Sequence, residues 1–112
     1  MKKFVVLSRS PMSAKAQMAQ ATPEQAKAGM DAWMRWAKES EKAIVDLGAP
    51  LDDPVVVGPG KPVGDHIGGF SILQAESVES IKRILQGHAH LMMSGGWIEV
   101  HEFLPMPSPQ TQ

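Results

Sequence analysis

Apolar residues fill both alternating sets between Lys3 and Ser8, Phe4 with Val6 and Val5 with Leu7. A strand patterned this way expects cover on both of its faces. From Arg9 to Ala21 the chain is polar and alanine-rich and is broken by Pro11, which predicts a loop with a helical turn around Ala14 to Met18. Thr22-Pro23-Glu24-Gln25 then supplies a cap, a proline at the first helical position and a glutamine placed to close a capping box. Ala26, Met30, Trp33, Ala37, Ser40, Ile44 and Leu47 follow at steps of three and four, so the spacing predicts one long helix with a core-facing stripe. Gly48 ends that helix and Pro50 prevents a restart.

The β-branched run Val55-Val56-Val57 sits between proline-rich turns and predicts a short edge strand. Phe70 to Ala75 reads as a strand leaving the Gly68-Gly69 turn. Ser77 caps a helix in which Val78, Ile81, Ile84 and Leu85 share a face, and Gly87 closes it. Trp97 to Leu104 returns to extended chemistry, with Ile98, Val100 and Leu104 on one face and Trp97, Glu99, His101 and Phe103 on the other. The order is strand, helix, strand, strand, helix, strand. That is the ferredoxin-like βαββαβ arrangement of an α+β fold, a four-stranded antiparallel sheet with two helices on one face. Its second face would carry one apolar set of the first strand together with Trp97 and Phe103, a patch that a second subunit would cover. A homodimer is therefore the expected partner arrangement.

A chain of 112 residues fits one domain, expected over residues 1–106 with a flexible tail at 107–112. Eleven basic residues balance twelve acidic ones and form no stripe that could follow phosphates, which argues against nucleic acid as a partner. The apolar part of MKKFVVLSRSP spans only Phe4 to Leu7, too short for a secretory core or a membrane span. The absence of cysteine removes disulfides, thiolate metal sites and cysteine nucleophiles, and is compatible with a cytoplasmic location.

The segments FVVLSRSP, TPEQAKAGMDAWMRWAKE, IVDLGAPL, GGFSILQAES, LQGHAHL and GGWIEVHEFLPM resemble the YCII-related domain family from Lys2 to Met106. The resemblance implies a ferredoxin-like subunit of a dimeric α+β barrel. It also implies a small-molecule enzyme, a lyase or isomerase working by histidine acid-base chemistry without a cofactor, or a non-catalytic ligand-binding or accessory dimer of the same fold. Some family members are proposed to pair a histidine with an aspartate. This chain departs from that pattern: its long helix has no histidine, and His88 and His90 stand where catalytic members carry an aspartate. GPGKPVGDHIGGF likewise replaces the DGPFAETKE stretch of a related subfamily.

His88-Ala89-His90 is the sharpest chemical constellation. Residues two apart in an extended turn point the same way, so both imidazoles could serve one pocket as proton carriers. The competing reading has one ring at the preceding helix C-terminus and the other in solvent. Within the catalytic reading His90 is the better carrier, because Leu91 and Met92 could draw its turn inwards, and Asp65 or Asp31 is the carboxylate to seek beside it. Arg9, Trp97 and His101 are the expected ligand-binding residues, with a surface salt bridge as the competing role for Arg9. Glu99 and His101 share a strand face and could hydrogen-bond across a dimer interface. Asp65, His66 and His101 could join the histidine pair around a metal, but no second motif fixes such a geometry, and no metal or cofactor is expected. Gly58-Pro59-Gly60-Lys61 lacks phosphate-loop spacing and no helix follows it.

Overall fold

The computed structural model describes residues 1–61 and 64–106; the expected tail at 107–112 lies outside the described residues. Four strands, β1 (Lys2–Ser10), β2 (Ile44–Pro50), β3 (His66–Ala75) and β4 (Trp97–Glu102), form one sheet in the order β2-β3-β1-β4. Every neighbouring pair is antiparallel. Helices α1 (Ala14–Gln20), α2 (Pro23–Glu39) and α3 (Val78–Leu85) and a 3-10 turn (Ala89–Met92) are the helical elements among the described residues. This is the expected α+β, ferredoxin-like sheet order.

The local signals explain most of the element starts. Thr22 accepts from the Gln25 amide while the Gln25 side chain accepts from the Thr22 amide, a complete capping box at the head of α2. Ser77 caps α3, and Ser13 caps α1. The turn expected around Ala14 to Met18 is a full helix, tied down by the Gln17 side-chain amide, which donates to buried Ser10 at 2.8 Å.

Two expectations are corrected. The long helix stops at Glu39 instead of continuing to Leu47, and Ile44–Pro50 is a strand. Ile44 and Leu47 happen to fit helical spacing, but Ile44 stands opposite buried Leu73 across the ladder, and the Gln74 amide donates to the Ala43 carbonyl. Gly48, at φ 78°, sits so close to Phe70 that a Cβ there would run into the Phe70 carbonyl oxygen. Cross-strand pairing thus wins over the periodicity. Val55-Val56-Val57, expected to be the strand, pairs with nothing among the described residues, and Pro54 and Pro59 remove two of the amides a ladder would use.

The core lies between the sheet and the helices. Phe4 and Val6 of β1 and Leu73 and Ala75 of β3 pack against Trp36, Ile81 and Leu85, with Ile44, Ile98 and Val100 around them. Burying each large side chain here stabilises by roughly 1.5–3 kcal/mol. The α2 stripe is rotated relative to the sequence expectation. Trp36 is 2% exposed and its indole N–H donates to the Ile84 carbonyl at 2.9 Å, whereas Trp33 is only partly buried and Met30 lies in solvent. Shortening the helix moves its buried centre towards its C-terminal end.

Among the described residues, no helix lies on the opposite sheet face. Val5 stands between Ile72 and His101, and Leu7 between Phe70 and Glu99. Those four apolar residues are only half-buried. The short dimension of the molecule is 18 Å, the thickness of one sheet with one helix layer. Among the described residues, no helix is long and apolar enough to cross a membrane.

Candidate functional site

Strand alternation decides which residues reach the open face. Arg9 continues the set of Val5 and Leu7, and its partner in β4 is Trp97, followed on the same face by Glu99 and His101. A register shift after Ser8 lets Arg9 pair with Ile67 and brings the start of β3 under the guanidinium. Asp65, just before β3, accepts from Arg9 Nε at 3.3 Å and from Nη2 at 2.6 Å. Arg9 Nη1 lies 3.5 Å from Glu99 Oε1, and the same oxygen receives His101 Nε2 at 3.0 Å. The result is a chain of four polar groups, Asp65, Arg9, Glu99 and His101, beside the apolar floor of Leu7 and Phe70 and the exposed indole of Trp97.

The electrostatics follow from those contacts. The hydrogen bond from Arg9 holds the Asp65 carboxyl below its ordinary range, and Asp65 in turn raises Arg9, whose side chain is 12% exposed. Arg9 has five N–H bonds and spends three on the two carboxylates, so it keeps donor capacity on Nη1. His101 donates through Nε2 to the carboxylate, which leaves Nδ1 as the basic nitrogen.

The two histidines singled out in the sequence have other surroundings. His88 is 2% exposed and packs edge-on against Trp33, with ring centroids 5.0 Å apart, and against Trp36 at 4.5 Å. Its Nδ1 accepts from the His90 amide at 3.0 Å, capping the 3-10 turn. Burial, and secondarily the neighbouring His90, push its pKa down to about 4, so it is neutral at pH 7. This is neither a charged helix-end cation nor an open proton carrier, because the aromatic pair desolvates the ring.

His90 donates from Nε2 to the Arg9 carbonyl at 2.8 Å and lies over Gly96, where a side chain would collide with the ring. It therefore braces the backbone that carries Arg9. Asp65 meets Arg9 rather than either of these histidines, and Asp31 is paired on the α2 surface with Lys27. His66 bonds through Nδ1 to Asp53 at 3.0 Å, a long-range pair that its neighbour Asp65 concealed in the sequence. Among the described residues, no three His, Asp or Glu side chains converge on a metal position.

Glu99 with His101 was legible from strand alternation, and the bond observed runs along one strand. Arg9 was legible as a ligand residue or a salt-bridge partner, and its two carboxylates settle the pairing. A groove of about 610 Å3 lies on the other side of the molecule, between the C-terminal end of α2 and α3, and is lined by Trp36, Lys42, Arg83 and Gly87. It contains none of the four linked groups.

The chain matches no protein-family model. No curated protein matches it in sequence. Among solved structures it is similar to 5-chloro-2-hydroxyhydroquinone dehydrochlorinase from Burkholderia phenoliruptrix, determined in complex with 2,5-dihydroxybenzoquinone. The identity is 17%, the match covers 87% of this chain and 90% of the other, and the TM-score is 0.48.

Proposed function

We propose that this protein is a YCII-related, homodimeric small-molecule enzyme, a lyase or isomerase that moves a proton with side chains alone on the open sheet face. The observation that carries the reading is the shared oxygen of Glu99. It orients the His101 imidazole at 3.0 Å and couples it to the Arg9 guanidinium at 3.5 Å, which places a base beside a cation on one face. The family assignment is supported by the quoted sequence segments and by the ferredoxin-like sheet order, and the dimer by the uncovered apolar face.

In this reading Nδ1 of His101 removes a proton from carbon next to a carbonyl, or from an enol or phenol. Glu99 holds the tautomer and stabilises the imidazolium that forms. The unspent Nη1 donor of Arg9 faces the oxygen on which negative charge develops. The exposed indole of Trp97, opposite Arg9 on this face, receives the apolar body of the substrate. The bond from His90 to the Arg9 carbonyl fixes the strand that aims the guanidinium, a positioning role.

The test is an NMR titration of the His101 ring in wild type and in Glu99→Gln, while small carboxylates, lactones and hydroxylated aromatics are screened for binding and turnover. Proton exchange or elimination that is lost in His101→Gln supports catalysis. Binding that shifts His101 without turnover assigns the ligand-binding alternative, and a ring that no compound shifts removes the site.

A further inference from the structure

Between β2 and β3 the described residues 51–61 form an irregular arm, on which Val55 and Val57 stand almost wholly in solvent. Val55 is 90% and Val57 95% exposed, while Val56 between them is 42% exposed. This alternation is that of an extended strand with one bare face. The arm turns at Gly58, φ 100°, and Pro59. The molecule has an elongated outline of 57 × 39 × 18 Å and a radius of gyration of 15.9 Å. A compact chain of this length would have a radius of about 13 Å.

Three contacts hold the root of the arm. The Leu51 amide donates to the Gly68 carbonyl, Asp53 holds His66, and Lys15 reaches Asp52. The returning end is held by Asp65 on Arg9. Both ends therefore flank the polar cluster, and folding the arm back over its own face would break them. Pro54 and Pro59 make it a poor ladder strand, so what it offers is side-chain surface, not edge pairing. From Leu51 to Val57 it spans about 20 Å, enough to cross a sheet of this width.

We propose that this arm lies across the open sheet face of a second copy of the chain, where Val55 and Val57 cover Val5, Leu7, Phe70 and Ile72 and wall the partner's Arg9–Glu99–His101 site. The occupant is a second copy because donor and acceptor surfaces are both apolar, both belong to this chain, and its net charge of −1 opposes association only weakly. Each site is then incomplete without the other subunit's arm. The last point rests on the function proposed above; the arm exchange itself does not.

The experiment uses the full chain. Sedimentation of wild type should report about 24 kDa, a two-fold dimer. The double variant V55D/V57D should report the 12.1 kDa monomer with an unchanged far-UV circular dichroism spectrum, because both side chains stand in solvent within one chain. A monomeric wild type, or a variant that stays dimeric, overturns the proposal. Isotope-filtered NMR on a mixture of labelled and unlabelled chains decides the matter even if the variant fails to fold. Contacts between the Val57 methyls of one copy and the Phe70 ring of the other are expected, and contacts only within one copy, or none, overturn it. Both readouts are taken without substrate, so an inactive His101 leaves the arm exchange standing, and loss of the exchange leaves the His101 titration to be judged separately.

Discussion

Acidification should destabilise this protein through the buried ring of His88. The ring is buried against Trp33 and Trp36, and its pKa falls from 6.5 to about 4. Because the folded value lies below the unfolded one, the unfolded chain takes up a proton first as pH falls. The stabilisation from a neutral His88 is complete above 6.5, declines through the window from 6.5 to about 4, and is fully lost below it. The gap corresponds to about 3 kcal/mol, with a limiting slope of about 1.4 kcal/mol per pH unit. Urea unfolding followed by tryptophan fluorescence at several pH values across that window measures the slope. His88→Asn keeps an acceptor for the His90 amide but cannot titrate, so it should cost about 2 kcal/mol at neutral pH through lost packing. Its stability should then fall less steeply with acid than that of wild type. Parallel curves for the two proteins, or a His88 ring that titrates near 6.5 by NMR, would refute the buried neutral imidazole.

The buried tryptophan is Trp36, so Trp36→Ala should lose roughly 3–5 kcal/mol in chemical denaturation while Lys38→Ala stays within about 0.5 kcal/mol of wild type. Gly48→Ala meets both a positive φ and the Phe70 carbonyl; a loss of about 2 kcal/mol or more is expected, with amide exchange accelerated first in β2. Arg9→Met removes the hydrogen bond that depresses Asp65, and the Asp65 carboxyl should then titrate at higher pH by NMR; an unmoved Asp65 would deny that Arg9 is the cause.

The strand β1, the Phe70–Ala75 part of β3, the Trp97–Glu102 alternation of β4, the capping box at Thr22 and the Ser77 cap were legible in the sequence, because each depends on residues close together in the chain; the start of β3 at His66, read as a turn at Gly68-Gly69, and the end of β4 before Phe103 and Leu104 were not. Alternation alone placed Glu99 and His101 on one face. What the sequence could not separate was Ile44 and Leu47 as a helix from Ile44–Pro50 as a strand, since two apolar residues three apart fit one helix face and, over so short a run, no alternation marks the strand. Pairing with β3 decided it, and that is a long-range contact. The same limit hid the β-branched run at Val55, whose local propensity is for a strand but whose prolines and position leave it without a partner. The site shows the division most clearly. Arg9, Asp65 and Glu99 are far apart in the chain, and only the register of β1 with β3 and β4 makes them neighbours. His88 and His90 looked like a pair by adjacency, yet the turn after α3 sends one ring into the tryptophans and the other to the Arg9 carbonyl. Local propensity and periodicity are written within a few residues; charge pairing and desolvation depend on which distant strand or helix arrives, and the tertiary structure alone sets that.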